Sequence, residues 1–173
     1  MIEKHIHTLS GIALFILLKI GYTQTNSDDL LFLLFPTDKL ISSFTGSTSD
    51  YIQGSGYFHP EFNILIEKSC AGFNFFILCF LIGYITCLQH IVKTSKRWTT
   101  LPICLLCSYF LTIAVNTSRI LISISLAVRK SIIADISGFH QLQGTFIYLF
   151  FLLLSYLILK HSLNKRFKNE ELA

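Results

Sequence analysis

Charge is scarce in this chain. Of its 173 residues only 14% are Asp, Glu, Lys or Arg, where an ordinary soluble domain carries about a quarter. With 52% hydrophobic residues and a mean hydropathy of +0.59, the solvent to assume is a membrane. Proline is limited to 3 residues, and the many short alternating segments of a spanning barrel are missing, so helices are the expected spans. No cysteine or carboxylate cluster joins any of the 6 histidines, so neither a metal nor an organic cofactor is expected. The 5 cysteines show no disulfide spacing, and Cys104 and Cys107, a CxxC among Leu and Ile, read as packing residues.

What the chain has instead is long apolar runs. Ile6 to Tyr22 is long enough for a first helix, and the polar residues after Gly21-Tyr22-Thr23 offer no small-x-small cleavage site. Leu30 to Phe35 is too short to cross and reads as an interfacial or re-entrant segment. A loop rich in Ser, Thr and Gly follows, in which Phe62, Ile64 and Ile66 alternate with other residues behind His59-Pro60-Glu61. That pattern predicts a short strand, entered through a turn, in a small hairpin leading to Cys70.

Phe73 to Val92 is the clearest span, and Lys93, Lys96 and Arg97 follow it. Leu101 to Val128 is longer than one span needs and either tilts or breaks near Asn116. Leu142 to Leu159 is the last span, closed by Lys160, Lys165, Arg166 and Lys168. By the positive-inside rule both basic stretches are cytoplasmic. The expectation is an all-α integral membrane protein, a single domain over residues 1–173, with about four transmembrane helices and a short interfacial or re-entrant segment. Both termini are then cytoplasmic, and Thr23 to Ser69 and Arg129 to Phe139 are outside, Arg129 and Lys130 being the dissenting pair. Topology accounts for the net charge of +4 without nucleic acid.

This topology brings three reactive side chains to one depth. Cys70 stands at the outer start of the second helix and His140 at the outer start of the fourth. Arg119 lies about 27 Å along from Leu101, near the outer edge of a hydrocarbon core of about 30 Å. Taken singly, Arg119 reads as a snorkelling cation, His140 as an interfacial cap and Cys70 as a small buried residue. Taken together they compose a cysteine acyl-transfer site. A thiol at a helix N-terminus faces the positive end of the macrodipole, and N–H groups from Gly72 through Asn74 can face an oxyanion. A guanidinium does not give up its proton, so Arg119 would hold the oxyanion or orient the scissile carbonyl, and His140 would carry the proton.

The ordered set Ser69-Cys70-Ala71-Gly72, Asn116-Thr117-Ser118-Arg119 and His140 with Gly144 resembles the exosortase and archaeosortase family. The run Cys70-Ala71-Gly72-Phe73-Asn74-Phe75 is most similar to its exosortase K branch. The resemblance covers residues 54–156. It implies a membrane protease or transpeptidase that cuts the C-terminal sorting signal of exported proteins, a signal comprising a short motif, a transmembrane helix and a basic end. Cys70 would be the nucleophile, Arg119 the oxyanion or substrate stabiliser and His140 the general acid and base. The implied location is the cytoplasmic (inner) membrane, multi-pass, with the active site on the extracytoplasmic side and the lipid bilayer as the other partner.

Two alternatives stay open. One is a non-catalytic membrane assembly or binding protein in which Arg119, Asn116 and His140 form a polar network between helices. The other is an enzyme whose base is His59 rather than His140.

Overall fold

Four helices are long and apolar enough to cross a bilayer: His5–Gln24, Lys68–His90, Trp98–Leu126 and Leu142–Lys165 contain the spans. The structure, a computed structural model, describes residues 2–90, 94–128 and 139–171, with side chains for 5–90, 98–126 and 142–165. Lys93 and most of the expected second outer loop, residues 129–138, lie outside the described residues. The elements in order are α1 (Ile2–Gln24), α2 (Leu31–Thr45), β1 (Asp50–Ile52), β2 (Gly56–His59), β3 (Ile64–Ile66), α3 (Phe73–His90), α4 (Thr94–Val128) and α5 (Phe139–Glu171). The long third run does not break near Asn116: α4 is one helix of 35 residues.

The chain divides into two compact units, one made of residues 1–23, 74–110 and 150–173, the other of 24–73 and 111–149. In the first, Gly11 lets α1 lie close on α3: a β-carbon there would sit 2.6 Å from Tyr84 Cδ1. Small residues permit such approach where lipid gives helices no hydrophobic reason to pair. Tyr84 stacks on Phe80 and, with Leu88 and Cys104, is buried. Cys104 Sγ lies 4.0 Å from Cys87 Sγ, and both are free thiols, while Cys107 is exposed. The CxxC is thus split between a packed and an outward face.

The second unit holds α2, the sheet, the Lys68–Cys70 turn, the end of α4 and the start of α5. Its short apolar segment is larger than expected, because α2 continues through Pro36 to Thr45 and ends at the left-handed Gly46. Leu33, Leu34, Thr37, Asp38 and Ile41 are its buried residues, at helical spacing. Two polar side chains on that inner face hid the period from a hydropathy reading. On the other face Phe32, Phe35 and Phe44 are exposed.

The three strands form an antiparallel sheet in the order β1-β2-β3, with Tyr51 opposite Tyr57 and Phe58 opposite Leu65. The expected strand and hairpin are β2 and β3, and β1 adds a third strand. Asn63, at φ 52, makes the left-handed turn residue between them. Asp28 accepts hydrogen bonds from the Tyr51 hydroxyl (2.7 Å) and the Gly54 N–H (2.8 Å), tying the sheet to the turn before α2. The bond to Asp28 pushes the Tyr51 phenol above its ordinary pKa.

A buried polar chain fastens the sheet to α2. His59 Nε2 lies 3.0 Å from Asp38 Oδ1, His59 Nδ1 lies 2.9 Å from Ser47 Oγ, and His59 and Asp38 are 1% and 0% exposed. Removing one partner leaves the other buried and unpaired. Asp38→Ala should therefore cost about 3 kcal/mol of stability, read as a lowered midpoint of thermal unfolding of the purified protein in detergent.

Candidate active site

The three segments that carry the expected site residues meet in the second unit. The first is the turn Lys68–Cys70, a single 3-10 turn. Cys70 N–H donates to Glu67 O at 2.8 Å and Ala71 N–H to Lys68 O at 3.1 Å. The thiol therefore does not start helix α3. Gly72, at φ +72, reverses the chain between that turn and Phe73. Other residues rarely adopt this conformation, and the space is closed as well. A β-carbon on Gly72 would lie 3.1 Å from Tyr148 Oη and 3.3 Å from both Asn116 Cγ and Thr112 Cγ2.

The second segment is the face of α4 formed by Thr112, Asn116 and Arg119, at spacings of four and three. Asn116 is fully buried. Its Nδ2 donates to the Cys70 carbonyl at 2.5 Å, and its Oδ1 accepts the Tyr148 hydroxyl at 2.7 Å. The carboxamide thereby spans from the cysteine turn to α5.

The third segment is the first part of α5. Gly144 is a notch for Arg119: a β-carbon there would stand 3.2 Å from Nη1 and 3.3 Å from Cδ. One turn further along, the Tyr148 ring lies 5.2 Å from the guanidinium carbon, a cation–π distance. Arg119 is thus held by its stem and its planar head, while its Nε is buried with no hydrogen-bond partner among the described residues. A cation so placed, with its Nε–H unspent among the described residues, is suited to meet an oxygen that gains charge. His140 is the second residue of α5, and its side chain lies outside the described residues.

Around the thiol, Ser69 Oγ donates to Glu67 Oε1 at 2.9 Å and stands 3.7 Å from Cys70 Sγ. Since the serine proton points to the carboxylate, the thiol is the donor in the second contact. Cys70 is half-buried and free. His59, by contrast, has both ring nitrogens engaged by Asp38 and Ser47 and is 1% exposed. It has no nitrogen left to serve as a base in this state, which removes the ground for the His59 alternative.

Sequence reasoning named Cys70, Arg119 and Gly144 and set Asn116 in a polar network, but it missed Tyr148. The signal was available, because Tyr148 continues the row His140, Gly144 by a further four residues. Among the described residues no group of three or more His, Cys, Asp or Glu is placed to hold a metal ion.

Asn116→Ala removes the hydrogen bonds to both the Cys70 carbonyl and the Tyr148 hydroxyl, whereas Tyr148→Phe removes one of the two. The expected losses of stability are about 2–4 and about 1 kcal/mol, and the double variant should fall short of their sum, as a thermal-unfolding mutant cycle in detergent will read. Comparison of the chain with protein-family models, with curated proteins and with solved structures gave no match.

Proposed function

We propose that this chain is a cysteine-dependent membrane peptidase or transpeptidase of the exosortase kind, cutting exported proteins near a C-terminal membrane helix at the outer face of the cytoplasmic membrane. One observation carries the reading. Asn116 holds the Cys70 carbonyl while Arg119, one turn on, is seated against Gly144 and Tyr148. Segments 46 and 25 residues apart in sequence are joined by the residues that the chemistry needs.

In this mechanism His140 takes the proton of the Cys70 thiol, the thiolate adds to the scissile carbonyl carbon, and the carbonyl oxygen takes up the electron pair beside Arg119. The C–N bond then breaks as His140 passes a proton to the departing amine, leaving a thioester on Cys70. A second amine, or water, attacks that thioester and gives its proton to His140, and the sulfur departs. A substrate anchored by its own helix would present its cleavage site at the depth of Cys70 by diffusion in the membrane plane.

The second reading, a non-catalytic assembly protein, draws on the same carboxamide, since a buried Asn spent on a carbonyl and a hydroxyl also acts as glue between helices. The two readings part on Cys70, whose side chain the glue does not use.

Intact masses of exported host proteins with C-terminal membrane helices decide between them. With Cys70→Ala, expressed at wild-type level, at least one such protein should keep its helix, and the wild-type product's added mass identifies the acceptor. Arg119→Ala and His140→Ala should slow cleavage at least about 100-fold. Unchanged masses in Cys70→Ala cells, with Asn116→Ala lost from the membrane, would establish the structural reading instead.

A further inference from the structure

Six side chains of the second unit, Thr37, Asp38, Ser42, Thr117, Arg119 and Gln143, hold buried polar atoms with no hydrogen-bond partner among the described residues, and two of them adjoin the contact of α4 with α5 at Gly144. One is Arg119, at Nε; the other is Gln143, at both Oε1 and Nε2. Gln143 directly precedes Gly144, the notch against which Arg119 is seated, and it follows His140 by three residues, on the same side of α5. A buried carboxamide with neither end paired carries the whole desolvation cost of a donor and an acceptor. Native proteins keep few such groups, and those they keep call for a missing partner.

The chemistry of that partner follows from the two ends. An anion would satisfy the donor Nε2 and the Arg119 Nε–H but would face the lone pairs of Oε1. A cation would satisfy Oε1 and be repelled by Arg119. A neutral partner with an acceptor and a donor side by side meets both ends at once, and one residue of an extended chain offers such a pair, its own C=O accepting from Nε2 and its own N–H donating to Oε1. The Nε–H of Arg119 is then free for a second carbonyl.

We infer that Gln143 is a substrate-positioning residue that binds the main-chain N–H and C=O of one extended residue in the segment flanking the scissile bond. The inference rests on the cysteine acyl-transfer reading above. It adds that recognition at this point is of backbone, so the side chain carried by that substrate residue matters little. Among the described residues nothing pairs this amide, and a bound chain would complete it.

Two measurements on Gln143→Met test this. Methionine keeps the length of the side chain and removes both polar ends, so the purified variant in detergent should unfold at the wild-type temperature or above it. In the host, the exported protein whose mass responds to Cys70→Ala should be cleaved about ten- to a hundredfold more slowly by Gln143→Met, and raising the expression of that protein should restore the rate. A clear drop in unfolding temperature would show that Gln143 is already partnered in the free protein and would overturn the inference. Cleavage at the wild-type rate while Cys70→Ala is inactive overturns it alone, and so does a slow rate that added substrate leaves unchanged. If Cys70→Ala alters no mass, the acyl-transfer reading fails and the inference falls with it.

Discussion

One carboxamide organises the second unit. Asn116 is buried on α4, and it uses its donor on the carbonyl of Cys70 and its acceptor on the hydroxyl of Tyr148. A backbone turn, a membrane helix and the ring that supports Arg119 are thereby fixed by a single planar group. Within low-dielectric surroundings such bonds strengthen one another, and their loss is correspondingly costly. The left-handed Gly72 is the backbone counterpart, since it lets the turn approach Asn116 and Tyr148 within van der Waals contact.

The unit divides its polar groups into satisfied and unsatisfied sets. The satisfied set is structural: Ser47, His59 and Asp38 Oδ1 close on one another away from solvent, and Asn116 with Tyr148 closes on the cysteine turn. The unsatisfied set, among the described residues, comprises Thr37, Asp38 Oδ2 and Ser42 on α2, together with Thr117, Arg119 Nε and both polar ends of Gln143 on the two helices that contribute to the candidate site. Membrane proteins leave buried donors unpaired at some cost, and a site of the proposed kind, receiving a peptide, would put that cost to use.

The spans were legible because twenty apolar residues in a row admit few other interpretations. The candidate site residues were named from type and order: a thiol among small residues, an arginine near a helix end, a glycine four residues after a histidine. The extent of α2 was not, because Thr37 and Asp38 interrupt the hydrophobic pattern on its inner face and Pro36 reads as a terminator, although a helix packed against a sheet tolerates both. Nor was the role of His59 legible. Its sequence neighbours, a proline and a glutamate, suggest an open loop, whereas its partners are Ser47, 12 residues earlier, and Asp38, 21 residues earlier. The placement of Cys70 in its own turn depended on Gly72 taking a positive φ, a choice that a glycine permits and a sequence does not announce.

Gly144 lies inside α5, where a glycine weakens a helix by about 0.5–1 kcal/mol relative to alanine. The simplest way to strengthen this helix is a single methyl group, and that methyl would press on Arg119 at 3.2 Å. Helix propensity and the seating of the cation therefore pull this position in opposite directions. A chain free to drift toward better helix formers would shed the glycine early, so its presence measures how much the fold yields to keep one guanidinium in place.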